Sequence, residues 1–190
     1  MPELKKYKMF ISGEWVESES KKTFKTLNPE NNEPWAEVPE ASEKDVDKAV
    51  KAAQKAFEGT WPNLFPRERA KYLKAIANQL RENAELLGKI ETIDTGKLFK
   101  ETKNQANYIA EYYDYYAGLA DKVEGTVLPI DKANMQVITT RVPIGVVAAI
   151  IPWNSQMLLT AVKLAPALAM GNSVVIKSSE LAPATLFEFA

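Results

Sequence analysis

Along this chain the spacing of apolar side chains changes period several times, and each change marks the edge of a predicted element. Met9–Val16 alternates weakly, as do Thr23–Leu27 and Trp35–Val38, with Gly13-Glu14, the Ser/Glu/Lys cluster at 17–22, Asn28-Pro29 and Asn31-Asn32 supplying the turns. That pattern predicts a small antiparallel meander, read as a covering layer rather than a binding surface. From Ser42 the period becomes helical. Ser42 as N-cap and Asp45 at the third helical position open a helix with Val46, Ala49, Val50, Ala53 and Phe57 on one face, and Gly59 stops it. Pro66 opens a second helix, with Ala70, Leu73, Ile76, Ala77 and Leu80 aligned. Asn83 caps a third, carrying Leu86, Leu87, Ile90 and Ile93 and ending near Gly96.

A fourth helix, Glu101–Lys122, is dense in tyrosine: Tyr108, Tyr112, Tyr113, Tyr115 and Tyr116. Tyrosines so placed suggest a platform on which bases stack, but that chemistry needs interleaved cations. Here Glu111 and Asp114 lie among the rings, while Ile109, Tyr113, Tyr116 and Ala120 share one face. Packing in a core or a subunit interface is the expectation. Val127–Ile130 and Gln136–Val142 then flank Asp131-Lys132-Ala133-Asn134, a hairpin signal. Its outer residues are polar (Gln136, Thr139, Thr140, Arg141), and its open ladder edge is a liability unless another chain covers it.

The segment Val142–Glu180 organises the remainder. Ile144–Ile151 is a near-continuous run of apolar residues between Pro143 and Pro152, the signature of a strand covered on both faces. Asn154 or Ser155 is positioned to cap a helix in which Met157, Leu158, Ala161, Leu164, Ala165 and Leu168 recur, with Pro166 bending or splitting it and Gly171 ending it. Ser173–Lys177 follows as a second strand. This is a βαβ unit with a right-handed crossover. The predicted fold class is α/β: this βαβ unit of a Rossmann-like dinucleotide-binding sheet, preceded by the meander and helices and accompanied by the hairpin.

Composition narrows the function. The 190 residues carry 46% hydrophobic and 26% charged side chains and a net charge of −1, with Lys and Glu intermixed. That is ordinary globular composition, without a basic face for nucleic acid or a polybasic membrane patch. MPELKKYKMF has no signal-peptide core and no apolar run reaches membrane-spanning length, so a cytoplasmic location is the default. The chain contains no Cys and no His. It therefore holds no thiol nucleophile, no imidazole base and no Cys/His metal site.

Open α/β sheets bind ligands at the carboxyl ends of their strands. Both loops of the βαβ unit, Pro152-Trp153-Asn154 and Lys177-Ser178-Ser179-Glu180, lie at that edge, bringing Asn154, Lys177, Ser179 and Glu180 to where a nucleotide would sit. The glycine fingerprint GxGxxG is absent, so an ordinary Rossmann pyrophosphate turn is not expected here. The isolated reading of Asn154 is a helix N-cap, and that of Lys177 and Glu180 a solvated ion pair.

These motifs, with ALAMGNSVVIK between them and Phe10-Ile11-Ser12-Gly13-Glu14-Trp15 upstream, resemble the aldehyde dehydrogenase superfamily across essentially the whole chain. The resemblance implies an enzyme that oxidises an aldehyde to a carboxylic acid through a cysteine adduct. Asn154 would then donate its amide N–H to the oxyanion formed on thiolate attack, a role suited to a neutral donor that stays fixed while charge develops. Lys177 and Glu180 would hold the adenosine ribose. Ser179 would join them on the cofactor, and Ile151, Pro152 and Trp153 would contribute backbone and wall contacts to the nicotinamide half. The Glu180 carboxylate would repel a 2′-phosphate, favouring NAD over NADP.

In the family the hairpin pairs with a neighbouring subunit, giving a homodimer or homotetramer. The expected division is 1–122 and 143–190 as an incomplete dinucleotide-binding domain and 123–142 as an oligomerisation hairpin. The nucleophilic Cys, the general-base Glu of an ELGGK-like motif and the Gly-rich phosphate turn lie downstream in such proteins. The chain is thus expected to be the amino-terminal portion of a longer enzyme, without the catalytic domain and inactive alone. Two departures stand out: Ser155-Gln156 follows the PWN motif, with Gln156 expected to reshape the aldehyde tunnel, and Ser178 replaces a Pro. The competing reading is a catalytically incompetent fragment that binds nucleotide or associates through its hairpin; a purely structural module ranks behind both.

Overall fold

In the computed structural model, which describes residues 4–190, the amino-terminal layer is built from short strands. They are β1 (Lys5–Lys6), β2 (Met9–Ile11), β3 (Glu14–Val16), β4 (Thr23–Asn28) and β5 (Glu33–Pro39). Met9–Val16 turns within one residue of the expected Gly13-Glu14 and pairs with itself, apart from β4 and β5. Ser12 and Gly13 both take positive φ, 58° and 83°, and fold the segment into the β2–β3 hairpin, a sheet of its own. Two such residues suit a turn whose twist matches the flanking strands. β4 pairs antiparallel with β5, and β1 adds parallel on the far side of β5, in the order β1-β5-β4.

The helices follow the predicted boundaries closely: α1 (Glu43–Glu58), α2 (Pro66–Glu82), α3 (Ala84–Thr95) and α4 (Phe99–Leu119). Ser42 and Asp45 form the reciprocal capping box of α1. The Asp45 carboxylate also accepts from Ser18 Oγ at 2.8 Å and faces the Glu19 N–H, tying the loop after β3 to the helix start. Burial alone would raise the Asp45 pKa, but the bonds from Ser42, Ser18 and Glu19 override it and hold the carboxyl well below its usual range. Asn83 sits at the N-cap position of α3 but does not cap it with its side chain. Its Nδ2 instead donates to Gln79 O near the end of α2, a carbonyl that also accepts the Asn83 backbone N–H.

The main core is where α2, α4 and the later helix α5 (Gln156–Ala169) meet, through Leu73, Ala77, Ile109, Tyr113, Ala161 and Ala165. The alanines let the helix axes approach, and Tyr113 fills the space they leave. Ile109, Tyr113, Tyr116 and Ala120 lie on the packed side of α4, whereas Tyr108 and Tyr115 face solvent. On α1 the predicted face is only partly covered: Ala53 is buried, but Val46 is 51% exposed and Val50 is also exposed. The hairpin forms as β6 (Val127–Leu128) and β7 (Val137–Ile138), two antiparallel residue pairs. It is more apolar than expected, with Val127, Ile138 and Val142 exposed.

The βαβ unit comprises β8 (Val146–Ile150), α5 and β9 (Ser173–Lys177), with β8 and β9 parallel, and α6 (Ala184–Phe189) follows. Pro166 leaves α5 as a single helix and does not split it. The strand begins two residues later than its hydrophobicity suggested. Asn172 Oδ1 accepts the N–H groups of Ile144 and Gly145, at 2.7 and 3.1 Å, and Gly145 adopts φ 121°, outside the range of a strand. Nor is the sheet covered on both faces. Ala149 and Ile151 pack on Leu186, whereas Ile150, on the opposite face, is 68% exposed. On that face α1 packs against β9 and β8, and Ser173 Oγ at the start of β9 donates to Ala53 O at 2.7 Å. No helix among the described residues is long and apolar enough to cross a membrane.

Asp94 joins three elements from a buried position. Its carboxylate accepts from Thr26 Oγ1 of β4 at 2.8 Å and from the Ala184 N–H of α6 at 2.7 Å. Burial pushes its pKa up to about 6, with those bonds opposing the shift. Because the folded-state value lies above the ordinary ~3.9, Asp94 favours folding most below pH ~4, and that contribution is lost as pH rises through about 6, on the order of 3 kcal/mol. Urea unfolding from pH 4 to 7 should therefore show wild type losing stability relative to Asp94→Asn, by about 3 kcal/mol across that window. A pH-independent gap between the two would contradict this assignment.

Candidate functional site

Parallel pairing brings the two predicted loops to one level. Ile150 is opposite Lys177, and the Ile151 N–H donates to Lys177 O at 3.0 Å, so both chains leave the sheet at the same edge. The side chain of Ile151 turns inward and is buried, while Pro152, Trp153 and Asn154 face outward. Neither candidate caps α5 with its side chain. Ser155 occupies the cap position without a capping bond, and among the described residues the Asn154 side chain has no hydrogen-bond partner. An exposed Asn without an intramolecular partner keeps both amide donors available.

On the second loop, Lys177 Nζ donates to Glu180 Oε2 at 3.1 Å, with both side chains well exposed. The Glu180 carboxyl is held below its usual pKa by its own backbone N–H and then by Lys177. An exposed pair of this kind is weak and open to exchange for other partners. Ser179 behaves differently. It is buried, and its Oγ accepts the Leu181 N–H at 3.2 Å, bracing the loop. Of the four polar side chains predicted at this edge, Asn154, Lys177 and Glu180 therefore project to solvent and Ser179 folds back.

Behind the first loop lies a polar group that spacing alone did not single out. Lys97 Nζ donates to Ser155 Oγ at 3.0 Å and reaches Glu91 Oε1 at 3.5 Å, and Ser155 Oγ donates to Gln105 Oε1 at 3.2 Å. Glu91 is 0% exposed, and burial raises its pKa against the opposing influence of Lys97 and the Met157 N–H. The available signal was an acid on the same side of α3 as buried Leu87 and Ile90. Gln156 is fully buried too, and among the described residues neither polar atom of its amide has a hydrogen-bond partner.

A βαβ unit with two loops at the carboxyl edge of parallel strands defines the Rossmann-like class of nucleotide-binding architecture. Residues 15–190 match the profile described as the aldehyde dehydrogenase family. The chain is 47% identical over 188 residues to (Z)-2-((N-methylformamido)methylene)-5-hydroxybutyrolactone dehydrogenase of Acinetobacter baylyi, covering 98% of this chain and 38% of that protein. It is 42% identical to betaine aldehyde dehydrogenase of Bacillus subtilis, over 93% of this chain and 36% of that one. A crystal structure of betaine aldehyde dehydrogenase from Staphylococcus aureus in complex with NAD+ superposes with a TM-score of 0.92 at 39% identity, over 96% of this chain and 36% of that one. The chain belongs to the aldehyde dehydrogenase family. It spans under two-fifths of the length of these relatives.

Because Asn154 contributes no cap, Asn154→Ala should leave the urea midpoint of the chain nearly unchanged, within about 0.5 kcal/mol. The ~1 kcal/mol loss typical of a deleted cap would show that the side chain serves the helix instead.

Proposed function

We propose that this chain provides the ribose-binding loop and the oxyanion donor of an NAD-dependent enzyme that oxidises an aldehyde to a carboxylic acid. The supporting observation is the meeting, at one edge of a parallel sheet, of an unpartnered Asn154 amide and an exposed Lys177–Glu180 pair. The S. aureus relative was crystallised with NAD+. The donor set fits such a cofactor. Glu180 offers carboxylate oxygens to ribose hydroxyls, Lys177 offers an ammonium to the same sugar, and Trp153 and Pro152 present an exposed wall beside them. The Ile151 N–H is already engaged with Lys177 O, which leaves its carbonyl as the contact it could make. Ser179 acts by shaping the loop. A 2′-phosphate would meet the Glu180 carboxylate, so NAD is favoured over NADP.

When bound, the nicotinamide supplies the hydride acceptor. The residues of this chain hold the reacting oxygen. Attack of a thiolate on the aldehyde carbon moves an electron pair onto oxygen, and the Asn154 N–H donates to that developing charge. The thiolate must come from outside these 190 residues, which contain no Cys. Alone, the chain binds nucleotide without turning over aldehyde. Residues 1–122 and 143–190 form part of the dinucleotide-binding domain, and 123–142 is the hairpin that meets a second subunit, its exposed Val127, Ile138 and Val142 being suited to a buried contact.

Calorimetric titration of the chain should give tighter binding of NAD+ than of NADP+. Glu180→Gln should weaken NAD+ by about five- to tenfold and narrow the gap to NADP+, since a charge-assisted acceptor is replaced by a neutral one. In an active enzyme carrying this segment, Asn154→Ala should lower kcat by about 10²–10³-fold. An Asn154→Ala enzyme with unaltered turnover would refute the oxyanion role.

A further inference from the structure

The turn that carries Asn154 is not held by the usual means. Ser155 makes no side-chain cap, and among the described residues the Asn154 side chain has no hydrogen-bond partner. What secures the turn comes from other helices. Lys97, just beyond the end of α3, donates to Ser155 Oγ at 3.0 Å; Gln105 of α4 accepts from the same oxygen at 3.2 Å; and Glu91 of α3 lies beside Lys97 at 3.5 Å with the Met157 N–H facing its carboxylate. The first turn of α5 thus meets a buried carboxylate from α3 in place of a local cap, where a helix favours negative charge. Lys97 is 30% exposed at its side chain and Glu91 is fully buried, so the carboxylate has its one protein counter-ion, among the described residues, in Lys97.

We propose that Lys97, with Glu91 and Gln105 around it, is a positioning residue that fixes the orientation of Asn154 through the Lys97–Ser155 hydrogen bond. This rests on the oxyanion role given to Asn154 above. Lys97 does not touch the reacting atoms. It sets where the amide donor points, and donors misplaced by about 1 Å cost on the order of 10²-fold in rate.

The structural part is tested on the chain itself by amide hydrogen exchange. Ser155→Ala and Lys97→Met should each speed exchange across residues 152–158 by about tenfold, as expected of a lost local hydrogen bond. Lys97→Arg should remain near wild type, and α2 should be unaffected in all three. The functional part is read in an active enzyme carrying the segment. Ser155→Ala and Lys97→Met should each lower kcat by about ten- to a hundredfold with the KM for NAD+ within about twofold. The double variant should lose less than the product of the two single effects, because the Lys97–Ser155 bond is common to both changes. Lys97→Met leaves Glu91 unpaired and risks misfolding; Ser155→Ala removes the same bond while keeping the ion pair, and it decides the matter if Lys97→Met does not fold. Unchanged exchange at 152–158 in Ser155→Ala overturns the clamp. Altered exchange with unchanged kcat overturns its link to Asn154. Altered exchange together with an unaffected Asn154→Ala enzyme keeps the clamp and overturns the oxyanion reading instead.

Discussion

Five residue pairs of parallel strand, Val146 to Ile150 against Ser173 to Lys177, govern everything else that matters at this edge. A parallel pair cannot be joined by a tight turn, so the chain must cross over through a helix, and both strands then end at the same side of the sheet. The Pro152–Asn154 loop and the Lys177–Glu180 loop are neighbours for that reason alone. The pairing has its own anchor at the opposite end, where Asn172 holds Ile144 and Gly145 by their N–H groups, and its Nδ2 reaches back to Ala167 O at the end of α5. One side chain thereby fixes strand start and helix end together.

Buried charge performs a second kind of joining. Asp45, Glu91 and Asp94 are all almost fully enclosed, and each contacts backbone or side chains of a different element. A buried carboxylate is costly unless its lone pairs are met, so each of these sites demands a particular neighbour in a particular place. The bonds that Asp45 receives outweigh its burial and hold its carboxyl below the usual range, whereas burial outweighs the opposing contacts of Glu91 and Asp94 and raises theirs. The α3 helix consequently links the amino-terminal sheet, through Asp94, to the first turn of α5, through Glu91.

Much of this was legible in the chain. Helix limits at Ser42, Pro66 and Gly171 follow from local backbone chemistry: a cap oxygen, a fixed proline φ, a left-handed glycine. The two loops of the candidate site could be located because strand and helix periods differ and the boundaries between them are sharp. Less legible were features in which one residue type serves two ends. Asn83 stands at one helix and bonds the other; Ser179 looks like a ligand contact and bonds its own loop.

Local periodicity, capping chemistry and the PWN and KSSE loops were determined by the sequence by itself, because those signals depend only on residues a few positions apart. Tertiary structure alone decided that Lys97, Glu91 and Gln105 would gather behind Ser155, up to 64 positions away in the chain. It also decided that one face of the β8–β9 sheet stays open over Ile150. Both depend on which surfaces meet when helices pack, and the energy of a hydrogen bond or a buried methyl is set by that meeting rather than by sequence distance.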